Sequence, residues 1–418
     1  MEQITEQQVA LHSRNAFTGD LIGDIHSVLL SNSPDLTQLQ SSLERDVNLS
    51  SEDARGFIYQ LVAELNATLF PPVTHIELIH TEGCNLACNY CFEKNMLGYR
   101  RMPLDIAQAA IDLLFKYSLN EPHLHITHFG GEPTLNFHAI RNVTEYTEQK
   151  AMLLGKSISF NMTSNGVLFT ESMVDYFAKH KINVLLSVDG LERTHNRYRV
   201  DKRGRGTFER VMKGLSLLRR VQPWIGVKMT VMPQNVPDLL EDVLGLHDCG
   251  VNQFIIGYAT GVKWSEEYME GYREQLTRLF QWYQAAGGRK LRIDEFEEGV
   301  EETSSFGCRA GRVSITATVD GEISPCSKIL ALNNKQLLAK LGDVRYGLTH
   351  IRNRADLVSC SRLRSACESK GIAKEFQGGC FAENYEDNHD LFEPSMQGHV
   401  FSIVKRSACS GCSANRSS

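Results

Sequence analysis

His75-Ile-Glu-Leu-Ile-His80-Thr-Glu-Gly-Cys84-Asn-Leu-Ala-Cys88-Asn-Tyr-Cys91 is the stretch on which the fold turns. Its first six residues form a short apolar run of strand length. Three cysteines follow at once, spaced Cys-x3-Cys-x2-Cys. A closed zinc site needs four ligands, often as two Cys-x2-Cys knuckles. Three thiolates this close suit a [4Fe–4S] cluster instead, with one iron left without a protein ligand. An iron open in that way can coordinate a substrate or a cofactor. A loop that directly follows a strand also stands where parallel α/β barrels carry their chemistry, at the C-terminal strand ends.

Working outward, further apolar runs occur at His123–Phe129, Ile158–Met162, Val184–Val188, Val227–Val231 and Gln253–Tyr258. Between them lie stretches of helical period at Asp105–Tyr117, Phe137–Leu154, Glu171–His180 and Thr207–Leu218, and Glu266–Trp282 follows the last run. Parallel neighbours need crossover helices. Right-handed crossovers wrap six such units into a partial (β/α)6 barrel. The expected fold class is therefore α/β. A barrel spans residues 73–290, a small helical N-terminal domain 1–72 and a cysteine-bearing C-terminal domain 291–418, with an acidic connector at 287–307. In the N-terminal domain, Ser33-Pro34-Asp35 reads as a helix start with Pro at the first helical position. Ser50-x-x-Asp53 resembles a capping box, opening a helix whose apolar stripe includes Phe57, Leu61, Val62 and Leu65. Pro71-Pro72 ends it.

Of 418 residues, 42% are apolar and 22% charged, ordinary for a globular enzyme. No run approaches the ~18 apolar residues of a membrane span. The start, Met1-Glu-Gln-Ile-Thr-Glu, lacks a signal-peptide pattern. A cytoplasmic protein without a membrane partner is expected. The net charge of −6 argues against nucleic acid as a partner. Disulfides are disfavoured without export. Yet ten of the 11 cysteines fall into two groups: Cys84, Cys88 and Cys91, then Cys308, Cys326, Cys360, Cys367, Cys380, Cys409 and Cys412. Cys249 stands alone, as a structural thiol at the end of a helix reading Leu239–His247.

With Tyr90 at its aromatic position, the Cys-x3-Cys-x-aromatic-Cys loop resembles that of the radical S-adenosylmethionine (SAM) superfamily. The resemblance implies that the open iron binds the amino and carboxylate groups of SAM. It also implies reductive cleavage of the S–C5′ bond to a 5′-deoxyadenosyl radical, which abstracts hydrogen from an unactivated carbon. Gly130-Gly131-Glu132-Pro133, after the second run, is similar to the family motif that hydrogen-bonds the SAM amino group. Thr163-Ser164-Asn165-Gly166 and Ser187-Val188-Asp189-Gly190 end the third and fourth runs. Each is ordinary turn chemistry by itself; the resemblance makes Asn165 and Ser187 SAM-contacting residues. Arg199 offers a bidentate fork to the SAM carboxylate. Its plain alternative is an exposed arginine in a basic loop. The resemblance spans roughly residues 74–286.

Gly307-Cys308-Arg-Ala-Gly311 and Val319-Asp-Gly321-Glu-Ile-Ser-Pro325-Cys326 resemble the opening of a SPASM domain. Leu341-Gly-Asp-Val-Arg-Tyr-Gly347 and Gly378-Gly379-Cys380 look like its later landmarks. The resemblance implies two auxiliary [4Fe–4S] clusters. The family's middle run, Cys-x2-Cys-x5-Cys-x3-Cys, aligned on Cys367 and Cys380, puts Lys370 and Phe376 at two ligand positions, and neither can ligate. The reading assigns Cys308, Cys326 and Cys380 to an inner cluster, and Cys360, Cys367, Cys409 and Cys412 to an outer one. Seven thiolates leave one iron open. The rival is a single auxiliary cluster with idle cysteines.

Enzymes of this kind mostly modify peptides and proteins. Anaerobic sulfatase-maturating enzymes carry Asp directly after the Pro-Cys of the SPASM opening, where this chain has Ser327. Peptide maturases usually carry an N-terminal domain that grips a leader. Residues 1–70 have the right size, with Gln7–Ser13 as a strand for β-augmentation. The expected function is therefore a radical SAM oxidoreductase that crosslinks a leader-bearing precursor peptide, fed by an external flavodoxin- or ferredoxin-type electron donor. Sulfatase maturation is the alternative. A non-catalytic iron–sulfur scaffold would not need the Gly-Gly-Glu-Pro and Ser-Val-Asp-Gly positions.

Overall fold

A computed structural model describes residues 23, 25, 27–31, 34–285, 291–297, 306–332, 340–372, 376 and 378–410, with backbone alone at 409 and 410. The N-terminal part holds α1 (Leu36–Asp46) and α2 (Ser51–Leu69). The α1 cap is Asp35, whose carboxylate accepts the Gln38 N–H at 3.0 Å. Pro34 thus precedes the cap and does not occupy the first helical position, because the Asp side chain is the stronger N-terminal signal. Ser50 caps α2 as expected, accepting the Asp53 N–H at 3.1 Å. The buried face of α2 is Ala54, Ile58, Val62, Ala63 and Asn66. Phe57, Leu61 and Leu65 flank it, half-buried against Leu39 and Leu43. Gln7–Ser13 lies outside the described residues.

Six parallel strands follow in chain order: β1 (His75–Ile79), β2 (His123–Phe129), β3 (Ser157–Ser164), β4 (Ile182–Ser187), β5 (Gly226–Val231) and β6 (Gln253–Tyr258). The main crossover helices are α3 (Leu104–Tyr117), α4 (Phe137–Leu154), α5 (Glu171–Lys179), α6 (Phe208–Arg219) and α7 (Leu239–Asp248). Their apolar faces cover one side of the sheet. Ile76, Leu78, Leu124, Ile126, Phe160, Met162, Val184, Leu186, Val227 and Met229 are buried there. Strand side chains alternate faces, so the residues between these point inward. Glu77, Thr127, Asn161, Thr163, Ser187, Lys228 and Thr230 line that inner face and are only partly covered. The barrel lumen is polar and open.

The sheet does not stop at six strands. Its order is β10-β9-β8-β1-β2-β3-β4-β5-β6-β7. β7 (Arg292–Ile293) extends β6, and β8 (Ser314–Ala317) lies parallel to β1, pairing His75 with Ser314 and Glu77 with Thr316. β9 (Glu322–Ser324) and β10 (Gly342–Asp343) add antiparallel. The cysteine-bearing region therefore continues the barrel sheet and is not hung on a linker after residue 290. An uncovered β1 would present an unpaired strand edge. Short helices complete the fold, among them α8 (Ser327–Leu330). Among the described residues no helix is long and apolar enough to cross a membrane.

Candidate active site at the mouth of the barrel

The Gly-Gly turn after β2 lies against the backbone of the cysteine loop. Gly130 has φ +120°, and a Cβ there would meet the Thr81 carbonyl oxygen at 2.4 Å. A Cβ on Gly131 would meet the Gly83 oxygen at 2.4 Å. Only glycine permits this approach. The Gly131 and Glu132 N–H groups donate to Thr81 O (3.1 Å) and Gly83 O (2.8 Å). The buried Glu132 carboxylate then gathers four donors: the Thr134 N–H (3.2 Å) and hydroxyl (2.5 Å), the Ser164 hydroxyl (2.8 Å) and the Asn165 N–H (2.9 Å). Burial pushes its pKa up and these bonds oppose the rise. The Asn165 amide donates to Asn85 inside the cysteine loop at 2.8 Å. Glu132 and Asn165 thus fix the ends of β2 and β3 to that loop.

Cys84, Cys88 and Cys91 are partly exposed thiols. Burial raises Cys84 to about 12, and the charges of Glu132, Cys88 and Cys91 add to the rise. Cys91 is raised to about 11, again first by burial, then by Glu93 and Cys88. The three sulfurs therefore share one neighbourhood in which thiolates need a compensating cation. Among the described residues no three His, Cys, Asp or Glu groups stand so as to hold a single metal ion. Three neighbouring thiols are the donor set a [4Fe–4S] cluster would take, each thiolate on a different iron.

Arg199 is not an exposed arginine. It is 8% exposed, and Asp189 is 2% exposed. Its Nε and Nη2 donate to the Asp189 carboxylate at 2.9 and 3.0 Å. Asp189 also accepts the Thr230 N–H at 2.9 Å and the Tyr90 hydroxyl. The guanidinium lies 5.3 Å over the Tyr90 ring and helps hold down the Cys88 pKa against burial. The chain between is tied on by Ala87 N–H to Val200 O (2.8 Å). Ser187 opens on the lumen at the top of β4. In the sequence Asp189 is ordinary turn chemistry. Its role as the counter-charge of Arg199 is a tertiary pairing that spacing does not reveal.

In the C-terminal region Cys326 caps α8, its sulfur accepting the Ile329 N–H at 3.3 Å. Burial raises the Cys326 pKa, and Cys380 and Cys308 add to it. Cys308 is raised by burial, then by Cys380 and Cys360. Cys308, Cys326 and Cys380 therefore come together, and Cys360 joins them at Cys308. A Cβ on Gly307 would lie 2.5 Å from the Cys360 sulfur. The charged groups acting on Cys367 are Glu393, Lys370 and Glu368. The Cys409 side chain and Cys412 lie outside the described residues. Cys249 ends α7, the position expected from sequence, half-buried and with its N–H bonded to Gly245 O at 3.1 Å. Beside β1, a cavity of about 690 Å³ opens between α1, the cysteine loop and the β9–β10 hairpin, lined by Asp35, Ile79, Glu82, Arg100, Asp320 and Tyr346 among others.

The sequence profile of the radical SAM superfamily matches residues 78–246. The chain is 32% identical to a serine-type anaerobic sulfatase-maturating enzyme of Bacteroides thetaiotaomicron, over 33% of this chain and 34% of that protein. It is 26% identical to the radical SAM cyclopropyl synthase TigE of Paramaledivibacter caminithermalis, over 36% and 34%. The sporulation killing factor maturation protein SkfB of Bacillus subtilis is 22% identical over 69% of this chain and 66% of its own length. The chain spans only between 34% and 59% of the length of three curated relatives it matches, TigE among them. The fold is similar to anSMEcpe with bound AdoMet, with TM-score 0.64, 18% identity and coverage of 80% and 99%. It is also similar to Streptococcus suis SuiB bound to the precursor peptide SuiA, with TM-score 0.56, 18% identity and 86% of both chains. Residues 78–246, which include the three-cysteine loop that follows β1, thus match the radical SAM superfamily, and the fold around them is similar to those of anSMEcpe and SuiB.

Proposed function

We propose that this protein cleaves SAM reductively and uses the resulting radical to crosslink residues of a ribosomally made precursor peptide. A [4Fe–4S] cluster held by Cys84, Cys88 and Cys91 would supply the electron and the open iron. The chain's own residues prepare the site. Glu132 and Asn165 hold the strand ends against the cysteine loop. Asp189 fixes Arg199 and Tyr90 under it. Gly130 and Gly131 let the β2 turn close onto the cysteine loop, and Ser187 opens on the lumen where SAM would lie. Cys308, Cys326, Cys380 and Cys360 are the candidates for auxiliary cluster ligands. The observation that carries the reading is the lumen: a polar, partly exposed wall beneath the cysteine loop, bordered by that second group of thiols. It suits an extended peptide strand better than a small apolar substrate. Similarity to the maturation protein SkfB, and in fold to SuiB bound to a precursor peptide, supports a peptide target.

The test is co-expression with each peptide encoded by a short open reading frame flanking its gene, followed by mass spectrometry. The expected product lacks two hydrogens and carries a new bond between two residues, and the Cys88→Ala enzyme makes none. A second reading, formylglycine formation, has the sulfatase-maturating relative in its favour. It wins if a sulfatase-derived peptide gains an aldehyde while every flanking peptide is unchanged.

A further inference from the structure

Glu77 is the only carboxylate on the six barrel strands. It points into the lumen from the middle of β1, level with Thr127 on β2 and Thr316 on β8. The Thr316 hydroxyl donates to it at 3.0 Å. The hydroxyl and N–H of Ser327, at the start of α8, also act on it. Among the described residues it forms no ion pair with Lys, Arg or His. The ionisable groups that face it are Glu93, in the turn after Cys91, and Cys326; its charge raises the pKa of both. Glu77 thus sits between the end of one cysteine group and a member of the other. It is deep in the molecule and yet borders open lumen. A carboxylate kept there without a counter-ion is costly. Such groups concentrate where protons are moved.

We propose that Glu77 is the proton acceptor for bond formation in the lumen. This rests on the peptide-modifying reading above. Hydrogen-atom abstraction leaves a carbon radical on the substrate. Joining that carbon to a substrate N–H, O–H, S–H or C–H group forms one bond and releases one proton and one electron. The proton passes to a Glu77 carboxylate oxygen. The electron would pass to a one-electron acceptor of the iron–sulfur class, which Cys326, one residue from Ser327, would help hold. Proton and electron therefore leave the reacting carbon toward the same corner of the barrel. Burial dominates the Glu77 environment and raises its pKa, which strengthens it as a base near neutral pH.

The experiment compares full-length wild type, Glu77→Gln and Glu77→Asp, each loaded anaerobically with iron and sulfide. Iron content and 5′-deoxyadenosine release from SAM under dithionite, without peptide, report the fold and the radical source. Co-expressed flanking peptides report bond formation. Carbodiimide with glycine ethyl ester, applied to the loaded protein, reports whether the Glu77 carboxyl is reachable from the lumen. Glu77→Gln is expected to match wild type in iron and 5′-deoxyadenosine, to modify peptide at least about 100-fold more slowly, and to be partly rescued in Glu77→Asp. Wild-type Glu77 is expected to take the label. Modification by Glu77→Gln within a few-fold of wild type overturns the proposal. So does a loss of iron and 5′-deoxyadenosine release in that variant, which would mark Glu77 as a brace for α8. If wild type cleaves SAM but alters no peptide, the peptide reading fails. Glu77 is then decided by the label: absence of label at neutral pH overturns its role, and labelling of Glu77 supports a lumen base serving another substrate.

Discussion

Replacing Arg354 with methionine tests how the N-terminal helices are held. Arg354 is 1% exposed. Its guanidinium donates to Asn66 Oδ1 (2.6 Å), Pro71 O (2.8 Å), Arg312 O (3.1 Å) and Gly311 O (3.2 Å), and lies 4.9 Å over the Phe70 ring. Asn66 and Pro71 belong to the end of α2; Gly311 and Arg312 precede β8. One side chain therefore ties the N-terminal helices to the cysteine-bearing region. Methionine fills much of the volume and donates nothing. Four buried acceptors at ~1–2 kcal/mol each give a loss of roughly 4–8 kcal/mol. Part returns, because burial pushes the Arg354 pKa down to about 10, a dehydration cost of about 3 kcal/mol that the variant escapes. A net loss of roughly 3 kcal/mol remains, a large share of ordinary protein stability. Denaturant unfolding should show the lower midpoint, and limited proteolysis should cut between α2 and β1 before the barrel opens. An unfolding midpoint that shifts by less than about 1 kcal/mol, with no new cleavage, would refute the bracing role.

Gly131→Ala should push the β2 turn off the cysteine loop, because backbone at 2.4 Å cannot yield cheaply; iron uptake and SAM affinity should both fall, and unchanged calorimetric SAM binding would contradict the geometry. Asp242 accepts the Leu191 N–H at 2.8 Å and its pKa is raised to about 6, mainly by burial. A carboxyl with a folded pKa above its unfolded value binds more protons when folded, so its contribution to stability falls as pH rises from about 4 through 6. Asp242→Asn should therefore gain on wild type by about 3 kcal/mol over that window, read from paired unfolding curves, and a pH-independent difference would exclude the shift. Deleting residues 1–22 should slow modification of a full-length precursor while iron content and SAM cleavage stay intact; unchanged peptide kinetics would remove leader binding from that segment. The cut must stop before Gly23, since Ile25 and Leu29 are buried with Leu39 and Leu43.

The barrel was legible because its signal is local. Each strand carries alternate apolar residues, and each helix carries its own period and caps. Phe137–Leu154 and Gln253–Tyr258 match their expected bounds residue for residue. What escaped was what depends on distant partners. Ser314-Ile-Thr-Ala is too short for a periodic signal and becomes a strand only because β1 offers it an edge. The apolar stripe of α2 read from Phe57, Leu61 and Leu65 is rotated, because Asn66 turns inward to meet Arg354. Glu77 looks in sequence like one polar residue within an apolar run. Only the register of β8 and the placement of Ser327 give it neighbours. At the site, the motifs named the turns, yet Asp189 meets Arg199 and Tyr90 through folded geometry that no spacing rule encodes.

The parallel β8–β1 pairing also bears on how two groups of cysteines work together. A metal-bearing domain on a flexible linker moves relative to its partner, and its distance to the radical source varies. Here β1 carries the first cysteine loop at its end, the Gly-Gly turn of β2 on one side, and β8 on the other. The turn from β8 through β9 leads within two residues to Cys326 and then to Ser327, which reaches back to Glu77 on the same β1. Ladder hydrogen bonds, not a linker, therefore set the separation between Cys84–Cys91 and Cys326. The lumen therefore has the three-cysteine loop above it and the Glu77 carboxylate on its wall, with Cys326 behind that carboxylate. In the proposed reaction, the steps that make a carbon radical, join it and remove its proton and electron would therefore follow a single strand and its two neighbours.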